Sequence, residues 1–592
     1  MTENSNKKTA GYVGIRRFLL DKKILLNLLA SVLAVYTLLL LIRITAAVFG
    51  NISVPNEYRE VANIQLTKAF MDGINPYRMS AYDGDIPGII YIYGPLYSLF
   101  TALLGKLIPI DIIALHYMVT LFSVVVSAGL AAYMVYKRTK YLAAPAAVFL
   151  FIINCSWRYG YINAVPDVFA LMIFIIIIVL MSLRSSEEAE GNIKHLIPDL
   201  LCAVLSISLF FVKQYFLVIA AAVFLFKFIN NRKDGIRFLF ISAGLSAAIF
   251  IIVSVTCPLY WTYSVFFAHG PFGMPERQLK VASVGNPERY FYFKNGEKIR
   301  GIEKKDNTLD EESFTADSEN TDPDSGFGYE ILQLKSLAGM FIFIFAAALW
   351  GIITEIINGF KNRREFEFFL IILMVISFIS LIYLGQNDGA WLSYYLQILM
   401  PEIIIYSFIF IDGMICADKR SINAAAFILL VLMMFFTAFR TDGRLKVYDK
   451  TKEQLADWSR AYALSGEYAE RGEVLYVPLL GFQTIYNGQE LYNNGHTTVI
   501  TGRFLAEYEA VGWEQKIFPE AGPVLESHCD YQQKIKEKAA DREYNLVTII
   551  DGVDTNEGRL TVSDLESYGY RKIDSILLNT GRLSYDVEFW VP

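Results

Sequence analysis

Apolar residues in this chain gather into long runs, near 24–49, 111–136, 141–155, 167–184, 198–212, 215–230, 236–258, 335–358, 366–385, 394–414 and 421–440. A bilayer core about 30 Å thick is crossed by about 20 residues of helix. The pattern therefore predicts an α-helical polytopic membrane protein with about 11 transmembrane helices, several of them short. If the runs alternate in direction, Lys22-Lys23, Lys137-Arg138, Arg232-Lys233, Lys361 to Arg364 and Lys419-Arg420 all fall on one side. The positive-inside tendency makes that side cytoplasmic, so the N-terminus is expected inside and the C-terminus outside. Merging 198–230 into one span would put Arg232-Lys233 outside and invert every later loop, so Lys213-Gln214 reads as an outer turn between two short spans. By the same logic the apolar stretch Tyr93 to Leu107 is re-entrant or interfacial, because a crossing there would turn Lys137 to Lys140 outward.

The outer face then collects segments 51–110, 156–167, 259–334 and 385–393, followed by everything from 441. In the first, Val61, Ile64, Phe70 and Met71 recur at roughly helical spacing among polar residues from Glu57 to Met71, the pattern of a helix lying along a bilayer. Gly73 ends that helix, Asn75-Pro76-Tyr77 turns the chain, and Pro95 opens a short apolar helix. Residues 304–326 are acidic and almost free of large apolar side chains, the composition of a disordered insertion. Residues 441–592 change character. Strand-like runs Val474 to Val477, Leu546 to Ile550 and Val587 to Val591 alternate with polar helix-prone stretches such as Lys450 to Arg471, which predicts a small extracytoplasmic α/β domain after a membrane module of 1–440.

Composition narrows the function classes. The 592 residues are 54% hydrophobic and 15% aromatic, and the net charge of -6 comes with Lys and Arg dispersed in short clusters, so nucleic acid is not an expected partner. The five cysteines lie far apart without metal-ligand spacing and read as packing residues. No glycine-rich phosphate loop occurs; Gly481-Phe482-Gln483 lacks the needed glycines.

Several polar groups sit where the pattern puts the outer membrane surface. Glu60 is a carboxylate beside apolar helices, suited to act as a base, although an interfacial helix also carries acids on its wet face. Asp167 stands at the start of a span, where a plain helix cap is the alternative. Lys213, followed by Gln214, interrupts apolar sequence; a lysine there either snorkels to the interface or meets an anion such as a phosphate. Arg158 and His269 are further phosphate donors on that face. Gln386, Asn387, Asp388 and Trp391, in a glycine-flanked break, have the hydrogen-bonding and stacking groups a sugar ring needs, or form an ordinary tight turn. Glu402 is an intramembrane acid whose partner the sequence does not reveal.

The order of these features resembles the polytopic glycosyltransferases of the C superfamily (GT-C), which take sugars from polyprenyl-phosphate carriers. The resemblance covers roughly residues 20–440 and rests on Glu60, Gly73, Pro76-Tyr77, Pro95-Leu96-Tyr97, Asp167 and Lys213-Gln214. It implies that Glu60 is the catalytic base, standing thirteen residues before Gly73 as the family's acid does, and that Asp167 orients the acceptor or the base. Tyr77, Tyr93 and Gln214 become substrate contacts, and Lys213, Arg158 and His269 become contacts to the donor phosphate. The implied reaction is a single displacement with inversion onto a glycan, lipid or protein acceptor at a bacterial plasma membrane. The lipid-linked sugar is the co-substrate, a divalent cation at Asp167 is an open alternative, and no other cofactor is implied. Within the superfamily, the aminoarabinose transferases that modify lipid A have an Asp-Glu pair and a lysine with two prolines at these places. Here Arg59 precedes Glu60 and Tyr93-Gly94-Pro95 occupies the later position, which argues against that substrate and shifts weight to Lys213 or Arg158. Two other classes stay open: a transporter or lipid flippase, and a non-enzymatic envelope protein whose C-terminal domain binds or senses.

Overall fold

The computed structural model describes residues 22–50, 52, 54–55, 60–82, 91, 93–155, 163–184, 192–267, 289–294, 297–302, 327–358, 365–385, 396–416, 420–445, 451–487, 490–491, 508, 512–550, 560–580 and 584–592. Each apolar run of the sequence is helical: α1 (Lys22–Gly50), α4 (Ile112–Tyr136), α5 (Ala143–Cys155), α6 (Asp167–Arg184), α7 (Asn192–Phe210), α8 (Val218–Asn230), α9 (Arg232–Thr256), α10 (Phe327–Ile357), α11 (Glu365–Gly385), α12 (Met400–Cys416) and α13 (Arg420–Leu445). Two further helices, α2 (Glu60–Met71) and α3 (Leu96–Leu107), lie between α1 and α4. Five helices among the described residues are long and apolar enough to cross a membrane, and seven more are shorter apolar helices, α2 not among them. The protein is thus a multi-helix membrane protein. The insertion 304–326 lies outside the described residues.

Local chemistry sets the helix ends. Asp111 caps α4 by accepting from the backbone N–H groups of Ile113 and Ala114 at 2.9 and 3.0 Å, and Asn231 caps α9 in the same way. α10 bends at Phe341, whose backbone (φ -115°, ψ 15°) is not helical. At the centre of the bundle, α12 has 83% of its apolar window buried, whereas α9 has 6% and forms the periphery. Two buried carboxylates fasten the end of the bundle remote from Lys213. Asp412 accepts from the backbone of Lys140 and Tyr141 at 2.8 and 3.2 Å, closing the α4–α5 turn. Asp199 on α7, fully buried, pairs with Lys227 of α8 and, at 2.7 Å, with Arg237 of α9.

The start of α3 is seated against the α7–α8 turn, where Leu96 N donates to Phe211 O at 3.0 Å. Gly94 makes that approach possible, since a Cβ at this position would fall 1.9 Å from Phe211 O.

β1 (Arg289–Lys294) and β2 (Glu297–Ile302) pair antiparallel as a separate hairpin, and residues from 451 build one mixed sheet. Its order is β4 (Glu490–Leu491), β3 (Val474–Tyr476), β5 (Leu546–Ile550), β7 (Ser584–Val591), β6 (Arg571–Asn579); β3 runs parallel to β4 and β5, and β7 antiparallel to β5 and β6. Strand alternation divides the side chains between two layers. Val474, Tyr476, Leu546, Val587, Phe589 and Val591 face α14 (Lys452–Ala469), whose Trp458 is buried among them. Leu475, Val547, Ile549 and Trp590 face α15 (Ala521–Ala540) through Tyr531, Ile535 and Ala539. The sequence reading missed β6, whose polar first half conceals its pairing with β7.

This unit is docked on the bundle at the end that carries α2. Gln65 Nε2 donates to Thr484 Oγ1 at 3.1 Å, Tyr486 OH donates to Asp111 Oδ2 at 3.2 Å, and Phe482 is buried in the bundle core. The alternative that Glu60 lies on a wet face of α2 is ruled out, since Glu60, Asn63 and Thr67 are buried with Val61, Ile64 and Leu66, bundle and C-terminal unit covering the helix from both sides.

Two outcomes follow. Asp199→Ala strands Lys227 and Arg237 without a counter-charge, so thermal unfolding in detergent should show a loss of about 3–5 kcal/mol, with restoration when Lys227→Met is added. Gly94→Ala drives a methyl group into the Phe211 carbonyl and should cost on the order of 3 kcal/mol; an unaltered melting temperature would show that the approach is looser than described.

Candidate active site

Glu60 is the first residue of α2 and has no exposed surface. Its Oε1 accepts from Tyr117 OH of α4 at 3.0 Å and from the backbone N–H of Ala164 at 2.9 Å. A buried carboxylate requires such donors, since without them its ionised form would be expelled from a medium this poor in water. The segment that supplies Ala164 is fixed from the other side. Asn163 O accepts from Thr120 Oγ1 at 2.9 Å, and Thr120 stands 3.4 Å from the Tyr97 hydroxyl, which meets His116 Nδ1 at 3.0 Å. Asn163 and Ala164 lead directly into Asp167 at the start of α6.

Asp167 does not cap its own helix. Its Oδ1 accepts from Lys213 Nζ at 2.6 Å, from Tyr215 OH at 3.3 Å and from Gln397 Nε2 at 3.5 Å, while Oδ2 takes no hydrogen bond among the described residues. Lys213 is buried, with its ammonium 4.5 Å from the centre of the Tyr93 ring. The loop before α3, the turn after α7 and the start of α6 therefore meet at one ion pair. Both acids lie within electrostatic reach of the Tyr97 hydroxyl, so Glu60 and Asp167 share one end of the bundle.

The other sequence-predicted residues divide into two sets. Tyr93 and Gln214 lie at the ion pair, Tyr93 under Lys213 and Gln214 next in the chain, bonded through Nε2 to Ser264 O at 3.3 Å, whereas Tyr77 belongs to an aromatic cluster at the end of α9. Arg158, His269, Gln386, Asn387, Asp388 and Trp391 lie outside the described residues. Glu402 is fully buried in α12, with Ser377 of α11 within reach of its carboxylate but without a well-aligned bond. Among the described residues no group of three or more His, Cys, Asp or Glu gathers to hold a metal ion.

Sequence reasoning missed Tyr117, Thr120, Tyr215 and Gln397. For α4 a signal existed. His116, Thr120, Ser123 and Ser127 recur at helical spacing within an apolar run, and all four are buried, so the polar stripe faces neighbouring helices rather than lipid. Tyr462 of the C-terminal unit was also missed; burial foremost, then Tyr486 and the Glu60 charge, push its hydroxyl well above the ordinary tyrosine range.

A cavity of about 760 Å³ opens beside this cluster, lined by Gln214, Tyr215 and Val218 at one end and by small residues of α7, α9 and α11 such as Ala203, Ala243 and Ser380.

No protein-family profile and no curated protein sequence matches the chain. Solved structures do. ArnT from Cupriavidus metallidurans, in the apo state and bound to undecaprenyl phosphate, is similar with a TM-score of 0.52 in each case, at 9% identity, over 94% of this chain and 97% of that one. The Archaeoglobus fulgidus oligosaccharyltransferase in its apo form has a TM-score of 0.47 at 12% identity, over 87% of this chain and 69% of that one. The likeness to ArnT spans nearly the whole length of both proteins, and so the chain shares the fold of ArnT.

Proposed function

We propose that the protein is a membrane glycosyltransferase that moves a sugar from a polyprenyl-phosphate carrier to a hydroxyl of a glycan, lipid or protein acceptor. In this reading 11 helices span a bacterial plasma membrane with the N-terminus cytoplasmic, and the α/β domain stands outside over the reaction site. The observation that carries the reading is the 2.9 Å bond from Ala164 N to Glu60, which joins the acid of the first outer loop to the segment ending in Asp167. The undecaprenyl phosphate bound by ArnT supports the carrier class.

The acceptor oxygen attacks the anomeric carbon while the bond from that carbon to the phosphate oxygen breaks, its electrons leaving with the phosphate, and configuration inverts. Glu60 takes the acceptor proton; Tyr117 and Ala164 hold Oε1, which fixes where Oε2 points. Asp167 orients the acceptor through Oδ2. An ammonium has three donors, so Lys213 can keep Asp167 and still meet the departing phosphate charge. The apolar cavity beginning at Gln214 suits the first part of the prenyl chain. Arg158 and His269 as further phosphate donors, and Gln386, Asn387, Asp388 and Trp391 as sugar contacts, rest on the sequence reading.

Purified protein given radiolabelled polyprenyl-phosphate hexose and a pool of envelope acceptors tests this. Glu60→Gln and Asp167→Asn should each lower sugar transfer by on the order of 10³-fold. Wild-type transfer no greater than that of the double variant would remove the enzyme reading. Movement of the intact lipid between leaflets without cleavage would favour a flippase instead.

A further inference from the structure

The turn of the first outer loop is zipped to the end of α9. Asn75 Nδ2 and Arg78 Nε both donate to Thr256 O at 3.0 Å, and Leu259 N donates to Tyr77 O at 3.1 Å. The zip sets the Tyr77 ring 5.7 Å from Tyr260, edge to face, and 5.7 Å from Tyr263. Tyr77, Tyr260 and Ser264 are buried; the Tyr77 hydroxyl has no hydrogen-bond partner among the described residues, and the Tyr260 and Ser264 hydroxyls lie within reach of each other without a well-aligned bond. Buried hydroxyls without well-aligned partners are costly, and phenylalanine would fill the same space at Tyr77 or Tyr260 without that cost. Residues Thr262–Phe267, moreover, wind as a π-helix, a rare widened form that recurs at functional sites.

The cluster is joined to the reaction centre at two points. Gln214, the neighbour of Lys213, donates to Ser264 O. The Tyr91 hydroxyl, bonded to Asn63, lies within electrostatic reach of both Tyr77 and Asp167. Burial foremost, and then Tyr91, Tyr260 and Cys257, raise the Tyr77 hydroxyl well above its ordinary range, so it stays a neutral donor.

We propose that Tyr77, Tyr260 and Ser264 form the subsite for the sugar ring of the lipid-linked donor. The inference rests on the glycosyltransferase reading. Each hydroxyl both donates and accepts, which matches a polyol, and the aromatic rings present apolar surface to the ring C–H groups. The three side chains carry no charge, so the phosphate belongs with Lys213 and the sugar with the tyrosines.

The test compares two lipids, polyprenyl phosphate and polyprenyl-phosphate hexose, titrated into the full-length protein in nanodiscs as wild type, Tyr77→Phe, Tyr260→Phe and the double variant. Each substitution should weaken binding of the hexose lipid about tenfold and leave the bare phosphate lipid within about twofold. The melting temperature without ligand should stay level or rise, since a buried hydroxyl without a well-aligned partner is removed. Hexose-lipid affinity unchanged in the double variant, or equal losses for both lipids, would overturn the subsite. Wild-type protein that binds neither lipid would overturn the glycosyltransferase reading as well.

Discussion

A carboxylate without access to water must be met by donors, and the donors to Glu60 come from two other parts of the chain. Tyr117 belongs to α4 and Ala164 to the segment before α6, so satisfying one oxygen joins three elements that are distant in sequence. The adjacent bond from Thr120 to Asn163 O repeats the tie one residue earlier. Together these contacts fix the path of 163–167, and with it the start of α6 where Asp167 stands.

The second constraint is electrostatic. Lys213 and Asp167 are both buried, and a pair in such surroundings is stable only when further donors and packing offset its lost hydration. Tyr215 and Gln397 add donors to Asp167, and the Tyr93 ring lies under the ammonium. Because Gly94 lets the loop before α3 touch Phe211, the residue that supplies this ring is held against the turn that supplies the lysine. A lone glycine thus governs how closely the first outer loop can approach the site.

The C-terminal unit is part of the same arrangement rather than an appendage. Thr484 holds α2 five residues beyond Glu60, and Tyr486 holds the cap of α4 six residues before Tyr117. Both elements that deliver the Glu60 contact are therefore braced from above. This covering also explains why the polar face of α2 is dry.

The pattern of apolar runs, basic clusters and prolines determined that the chain is a multi-helix membrane protein, where its helices lie, that Lys213-Gln214 breaks a span, and that a small α/β unit follows the bundle. Those features are local: span length, strand alternation and helix caps are set by neighbours in sequence. Glu60, Asp167 and Lys213 could be singled out because charge is conspicuous in apolar surroundings. Only the tertiary structure decided that Lys213 faces Asp167, that Glu60 is buried under Tyr117 and Ala164, and that Tyr260 and Ser264 join Tyr77. Those contacts depend on helices separated by up to about two hundred residues meeting at one end of a bundle, and packing of that kind leaves no periodic trace in the chain.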